Sequence, residues 1–197
     1  MKRTLLLGFL VAGLVLGFGR LAWTQAQSGK TPSDPGKDRP AIIALKSGEP
    51  AELAYDAGTM RMLASSEETH GAWSLVELKE VPGYHTNLHR HHHTDEAFYV
   101  VEGVLTVRLG DKTIDYPAGS YVLIPRGTPH AQGNRGKAPV RLLLTMTPGG
   151  FERSFVDRVE LFKTVKPGDP DFRSRRDELT KKSQVDVERL ATWELPK

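Results

Sequence analysis

The stretch GYHTNLHRHHHTDEAFYVVEG, residues 83–103, carries the strongest signal in this 197-residue chain. His89 and His91 are separated by one residue, so on a strand their imidazoles point to the same face, about 6.6 Å apart along the chain. Glu96 follows after four residues and opens the next apolar run, so its carboxylate can enter the same cavity. Side chains of these types can converge on one metal ion.

A second stretch, GSYVLIPRGTPHAQGN at residues 119–134, contributes one more histidine. Its pattern predicts a strand, a turn at Pro125-Arg126-Gly127 and a returning strand. The returning strand would bring His130 back towards the first stretch. Three histidines and one carboxylate are therefore expected near one another.

Together the two stretches resemble the two motifs of the cupin superfamily, G-x5-H-x-H-x4-E-x6-G and G-x5-P-x-G-x2-H-x3-N. The matching residues are Gly83, His89, His91, Glu96, Gly103, Gly119, Pro125, Gly127, His130 and Asn134. The resemblance covers roughly residues 45–148, and the short spacing between the motifs is the pattern of bacterial single-domain cupins. The chain resembles a type-2, quercetinase-like member of that superfamily. The resemblance implies an all-β fold, a cupin jelly-roll β-barrel. It also implies one divalent metal ion per chain, with these ligands: His89, His91, Glu96 and His130.

Such a ligand set suits Fe, Mn, Ni, Co, Cu or Zn, and it leaves coordination positions open for substrate or water. The affinity order favours copper and zinc over manganese and iron, so the metal that is bound depends on the compartment and the folding route. The identity of the metal therefore stays open.

Short apolar-alternating runs, broken by turn residues, extend from residue 41 to residue 148. The predicted strands are at 59–64, 72–80, 97–103, 104–110, 120–125 and 138–147. Their spacing favours an antiparallel sandwich or barrel, and residues 41–148 are assigned to the β-barrel. No alternation with long helices supports a doubly wound α/β sheet. Gly103 and Gly110 are placed for tight reversals, and residues 115–119, DYPAG, are predicted to form a loop.

Residues 149–197 are predicted to form a C-terminal helical extension that packs on the barrel. A first short helix is indicated by apolar residues at a spacing of four: Phe151, Phe155 and Val159. A second, mostly solvated helix is expected at 171–183. The tail at 184–197 has two interpretations. It pairs with a neighbouring subunit, or it docks on the barrel through Leu190, Trp193 and Leu195.

Residues 1–26 have the pattern of a secretory signal peptide. Two cations precede an apolar run at residues 5–19, and a small-residue pattern ends at Ala26. Cleavage predicts a secreted or periplasmic protein with no stable membrane association. In the alternative, residues 21–23 extend the apolar stretch past Arg20 into an uncleaved N-terminal membrane anchor.

Composition limits the classes of partner. The chain has 27 basic and 24 acidic residues, and three of the basic residues lie in the leader, so the remainder is formally neutral. That balance gives no support to nucleic-acid binding. With no cysteine, disulfides, zinc-thiolate sites and thiol nucleophiles are excluded. Residues 27–40, rich in Pro, Gly, Ser and charge, are predicted to be a disordered linker.

Three neighbours of the motif residues are candidate pocket walls. If Glu96 points inward, Phe98 and Val100 share its face, and Gln132 shares the face of His130. In the alternative, Phe98 and Val100 only fill the barrel.

The remaining histidines have weaker claims. His85 lies at the pocket mouth or in a surface loop, and His93 competes as a ligand only if its strand continues. His92 should face outward, and His70 is expected in a turn.

Three functions are compatible with these residues, and the balance favours an enzyme. In the first, which the resemblance to quercetinase-like cupins implies, the protein is a dioxygenase-type oxidoreductase acting on a small hydroxy-carbonyl or phenolic compound. The substrate binds the metal directly, and Glu96 is both ligand and general base. The second is a metal-dependent lyase, isomerase or decarboxylase. The third is a non-catalytic cupin that binds metal and a small ligand. A homodimer is a further expectation, because an open jelly roll has edge strands to protect.

Overall fold

The computed structural model describes residues 42–166, 168–183 and 186–196. The predicted signal peptide at 1–26 and the linker at 27–40 lie outside these ranges. The described strands are β1 (Leu53–Tyr55), β2 (Gly58–Ala64), β3 (Ser74–Glu80), β4 (Leu88–His91), β5 (Asp95–Glu102), β6 (Val104–Leu109), β7 (Lys112–Pro117), β8 (Tyr121–Ile124), β9 (His130–Gly133), β10 (Val140–Thr147) and β11 (Val187–Ala191). The described helices are α1 (Arg153–Thr164) and α2 (Phe172–Ser183).

The strands form two antiparallel sheets. The first has the order β1-β2-β3-β10-β5-β8 and the second the order β11-β4-β9-β6-β7. The sheets do not close into one continuous barrel, so β1 and β8 are the edges of the first sheet and β11 and β7 those of the second. The all-β jelly-roll prediction is therefore confirmed as two open sheets. The homodimer stays a prediction.

The core lies between the two sheets, and along the longer strands β3, β5 and β10 buried residues alternate with more exposed ones. Along β10, every second residue is fully buried: Val140, Leu142, Leu144 and Met146. Val76 on β3 and Val107 on β6 join the same cluster from opposite sheets. This alternation is the signal from which the longer strands were predicted.

The predicted loop at 115–119 is wrong for its first three residues. Asp115, Tyr116 and Pro117 belong to β7, which pairs with β6 along its whole length. β7 is an edge strand, where a proline costs no ladder hydrogen bond. The acidic residue is satisfied by neighbours, since Thr106 Oγ1 donates to Asp115 Oδ1 at 2.8 Å. Only Ala118, Gly119 and Ser120 remain between β7 and β8.

The C-terminal extension packs against the two sheets. α1 packs on the core through Phe155 and Val159, and the Phe155 ring meets that of Tyr55 edge-on at 6.2 Å. The extension then ends in a strand, because β11 pairs with β4 of the same chain. In the tail, Trp193 is buried whereas Leu190 is exposed. Among the described residues, no helix has the length and apolar composition needed to span a membrane.

Gly103 provides a test of the turn between β5 and β6. Its φ is +82°, and an added Cβ would lie 3.0 Å from the Pro139 carbonyl oxygen. Gly127 has a similar φ of +79° but open space around the Cβ position. Both alanine variants carry the left-handed backbone strain, and only Gly103→Ala adds crowding. We expect Gly103→Ala to lower the free energy of unfolding by about 2 kcal/mol and Gly127→Ala by about 1 kcal/mol. Chemical denaturation measures both variants, and equal losses in the free energy of unfolding would contradict the crowding argument.

Candidate metal centre

The four side chains predicted as metal ligands converge between the two sheets. His89 and His91 lie on β4, Glu96 is the second residue of β5, and His130 begins β9. β4 pairs with β9 in the second sheet, with His89 opposite His130, whereas β5 belongs to the first sheet. The carboxylate therefore meets the three imidazoles across the interior.

The ligand atoms of this cluster all lie within 4.8 Å of one another. Glu96 Oε2 is 2.9 Å from His130 Nε2 and 3.3 Å from His91 Nε2. His91 Nε2 is buried, and among the described residues no group makes a well-formed hydrogen bond to it. A buried nitrogen left in this way is unfavourable. A divalent metal at the centre would satisfy it, so the donor set fits such an ion.

Each histidine is oriented through its other ring nitrogen. His89 Nδ1 lies 2.7 Å from the Asn87 carbonyl oxygen, and His130 Nδ1 lies 2.9 Å from that of Thr128. A carbonyl oxygen only accepts, so Nδ1 carries a proton in both rings, and the neutral form of each ring has its Nε2 lone pair towards the cluster. This tautomer is the one that a metal requires at Nε2.

The buried charges shift the pKa values of the cluster in different directions. Burial, reinforced by repulsion from His130, lowers the pKa of His89 to about 4. Burial would also lower the pKa of His91, but the carboxylates of Glu96 and Asp186 outweigh it and raise that pKa to about 9. Burial would raise the pKa of Glu96, yet His91 and His130 hold it well below its usual range. At neutral pH, Glu96 is therefore ionised and His89 is neutral, as metal ligation requires, whereas His91 carries a proton that a bound metal would displace.

A cavity of about 160 Å³ opens onto the cluster. Three of the four candidate ligands line it, and its apolar wall is formed by Phe98, Leu144, Phe151 and Phe155. Apolar walls with a few convergent polar groups are typical of small-molecule sites. Since the usual volume for drug-sized ligands is roughly 300–1,000 Å³, this cavity suits a compact molecule.

The candidate pocket residues do not all reach the cavity. Phe98 and Gln132 line it. Val100 is fully buried in the core and is not among the lining residues. It shares the inner face of β5, but it lies four residues beyond Glu96, where apolar side chains fill the space between the sheets.

Comparison with known proteins places this architecture in a family. Residues 77–146 match the family model described as "Cupin domain". The tetracenomycin polyketide synthase protein TcmJ of Streptomyces glaucescens is 30% identical over 111 residues, which make up 55% of this chain and 72% of that protein. This chain is a cupin. Its family match spans β4 to β9 and thus all four candidate ligands.

Two further proteins are similar to this cupin over about half of its length. The quercetin 2,3-dioxygenase of Bacillus subtilis is 30% identical over 111 residues, which are 56% of this chain and 33% of that protein. The solved structure of KdgF from Halomonas sp. is 19% identical and has a TM-score of 0.48, covering 53% of this chain and 92% of that one. The family match ends at residue 146, so α1, α2 and β11 of this cupin lie beyond it.

The segment beyond the family match supplies a carboxylate to the cluster. Asp186, which directly precedes β11, places Oδ2 2.7 Å from His91 Nδ1. Its Oδ1 accepts a hydrogen bond from the His93 backbone N–H at 2.8 Å, and its carbonyl oxygen accepts one from His92. A carboxylate on the non-ligating nitrogen fixes the ring and raises its basicity. Asp186 is therefore a positioning residue for His91.

Replacing this carboxylate tests its contribution to metal binding. Because outer-sphere partners typically contribute 10–100-fold to metal affinity, we expect Asp186→Asn to raise the Kd for zinc on the order of tenfold. Glu188→Gln is the matched control, since Glu188 lies two residues further along the chain, on β11, and pairs with Arg90 at 2.7 Å, away from the cluster. Competition with a chromogenic chelator measures both variants. A tenfold loss in Glu188→Gln as well would mean that the effect comes from the strand and not from the carboxylate.

The other histidines of this cupin lie outside the cluster. His92 faces away and lies 3.3 Å from Glu188. His85 meets the ring of Trp193 edge-on at 6.1 Å. His70 lies in a turn with a φ of +52°, as predicted. The His93 side chain is exposed, and only its backbone N–H contacts Asp186.

Two residues that belong to the site were missed in the sequence. Glu80 is buried and lines the cavity. The alternation along β3 places Glu80 on the same inner face as Val76 and Leu78, so its inward direction could have been found. Asp186 gave no such signal, because its position depends on β11 pairing with β4 across almost 100 residues of chain.

Proposed function

We propose that this cupin is a metal-dependent oxidoreductase of the dioxygenase type that acts on a small hydroxy-carbonyl or phenolic compound. The observation that carries the proposal is the buried cluster of three histidines and one glutamate opening onto a cavity with phenylalanine walls. The similarity to a quercetin 2,3-dioxygenase supports the class of reaction. It does not name the substrate.

A divalent metal held by His89, His91, Glu96 and His130 would act as a Lewis acid on a substrate oxygen and lower the pKa of its hydroxyl. Side chains of the protein would exclude water from the reacting face and accept the substrate proton. The apolar walls exclude water from the reacting face and favour a flat, apolar substrate body. Glu96 Oε2 lies at the centre of the cluster, within 3.3 Å of two imidazole nitrogens. As an ionised carboxylate it can accept the proton of the substrate hydroxyl.

A second candidate function is a metal-dependent lyase, isomerase or decarboxylase reaction on a small oxyanion. The observation that favours it is the size of the cavity, which suits a compact molecule. The partly exposed guanidinium of Arg158 on the cavity wall adds positive charge. Asp56, however, neutralises much of this charge with a 2.7 Å ion pair.

Oxygen uptake separates the two candidates. Protein reconstituted with each candidate metal is supplied with flavonols, catechols, enediols and small hydroxy acids. The dioxygenase proposal expects substrate-dependent consumption of O2, lost in Glu96→Ala and retained in Tyr99→Phe, a control on the exposed face of the same strand. Conversion of a substrate without O2 consumption would support the second candidate. Tight ligand retention with no conversion would support a binding protein.

We also propose that the protein is exported. The support is the charged start, the apolar run and the small-residue pattern that ends at Ala26. Mass spectrometry of the protein recovered outside the cytoplasmic membrane tests this. Export with cleavage expects a chain that starts at Gln27, whereas a chain that keeps Met1 in the membrane fraction supports the anchor.

A further inference from the structure

A polar pair, Glu80 and Gln132, crosses the interior of the fold beside the metal cluster. Glu80 ends β3 in the first sheet, and Gln132 lies on β9 in the second. Gln132 Nε2 donates a hydrogen bond of 2.8 Å to Glu80 Oε1. Glu80 is only 1% exposed and Gln132 only 6%, and both line the cavity. The pair therefore forms part of the cavity wall.

Each member of the pair has one side-chain oxygen that the pair's own hydrogen bond does not use. Glu80 Oε2 and Gln132 Oε1 are both buried, and among the described residues neither has a hydrogen-bond partner. Buried polar atoms are almost always satisfied in native proteins, and an unsatisfied one is destabilising. Two neighbouring acceptors call for a donor that reaches them through the cavity. A ligand hydroxyl is such a donor.

The position of the pair relative to the metal cluster sets the shape of this ligand. Gln132 follows His130 by two residues on β9, so the two side chains share a face about 6.6 Å apart along the strand. The cavity that Gln132 lines also has aromatic walls, such as Phe98. The distance and the walls suit one aromatic ring with oxygens at opposite ends.

We propose that Glu80 and Gln132 form a second subsite of the cavity, which binds a hydroxyl group on the far side of a compact phenolic ligand held at its near side by the metal cluster. This rests on the proposed function only for the near side. A carboxylate is disfavoured at the far side, because it would meet two acceptor oxygens. The nearby guanidinium of Arg158 does not reverse this, since Asp56 and the Tyr84 hydroxyl already engage it.

The protonation of Glu80 is consistent with a subsite for hydroxyl groups. Burial raises the pKa of Glu80 to about 7, although Arg158 and the hydrogen bond from Gln132 oppose the shift. Near neutral pH the carboxyl can thus accept a hydrogen bond as a carboxylate or donate one as an acid. A hydroxyl group can pair with either form.

Binding of two matched ligands tests the proposal without turnover. Zinc-loaded protein under argon is titrated with catechol and with hydroxyquinol, which adds one hydroxyl across the ring. We expect the wild type to bind hydroxyquinol about tenfold more tightly, as one hydrogen bond to a buried acceptor would give. The double variant Glu80→Leu with Gln132→Leu should bind both ligands with equal affinity. Replacing both partners together avoids leaving a new unpaired group.

The controls keep the outcome decisive. Glu77→Gln, on the same strand but paired with Arg61 outside the cavity, should keep the full preference for hydroxyquinol. If the double variant does not fold, Glu80→Gln should show a reduced preference, because a neutral acceptor is weaker than a carboxylate. The proposal is overturned if the wild type binds neither ligand, if it shows no preference, or if the variants keep the preference. A protein that shows the preference but consumes no O2 would refute the dioxygenase proposal alone.

Discussion

His91→Ala is expected to weaken zinc binding by between about a hundredfold and a thousandfold. Four-ligand zinc sites bind with about 10–16 kcal/mol in total, so removing one ligand costs about 3–4 kcal/mol. His91 Nε2 lies 3.3 Å from Glu96 Oε2 at the centre of the cluster, so its loss opens the coordination shell. Competition with a chelator of known affinity measures the change in Kd.

The neighbouring residue provides the control for this variant. His92 is exposed and faces away from the cluster. His92→Ala should therefore bind zinc as the wild type does. If both variants lose affinity equally, the histidine run binds zinc as a surface cluster, and the assignment of the buried site is wrong. Circular dichroism of each variant confirms that the sheets are formed.

The second large effect concerns the pH dependence of stability. Burial raises the pKa of Glu80 from 4.5 in the unfolded chain to about 7 in the folded chain. The folded protein therefore holds a proton between these values that the unfolded chain has released. The stabilisation from that proton is fully present below pH 4.5 and is lost as the pH rises through 7. A shift of this size corresponds to about 3 kcal/mol.

Glu80→Gln removes this titration while it keeps the size of the side chain. We expect the variant to gain stability relative to the wild type by about 3 kcal/mol between pH 4.5 and pH 8. The charged and titratable groups that act on Glu80 are Arg158 on α1 and Glu96 on β5; the phenols of Tyr55 and Tyr84 also lie close to it. All four are unchanged in the variant, so their own titration cancels in the difference. Urea unfolding of both metal-free proteins across this pH range gives the values. A difference that stays constant with pH would show that Glu80 is ionised in the fold.

The sheets and the metal cluster could be predicted from the sequence, because the patterns that indicate them are local in the chain. Alternation along β3, β5 and β10 reports directly which residues are buried. The ligand spacing works in the same way, since parity on β4 alone places His89 and His91 on one face. The strand β7 was missed because it is an edge strand with a mostly exposed, polar pattern. Alternation cannot report a strand that has no buried face.

The cavity wall was harder to predict from the sequence, because segments far apart in the chain form it. Phe151 and Phe155 close the cavity only after α1 has packed on the sheets. Asp186 reaches His91 only because β11 adds to β4. Neither arrangement follows from periodicity, which describes one element at a time. Periodicity also failed to separate Val100 from Gln132. Each shares a strand face with a candidate ligand, but only Gln132 lines the cavity.

The most direct test of the account is the metal content of the purified protein, without a histidine tag, and of its His130→Ala variant. His130 Nε2 lies 2.9 Å from Glu96 Oε2, so the variant lacks one ligand of the cluster. Elemental analysis after reconstitution with each candidate ion is expected to find about one divalent ion per chain in the wild type and little or none in the variant. No stoichiometric metal in the wild type with any of these ions, or equal metal content in both proteins, would contradict the assignment of this cluster as a metal centre.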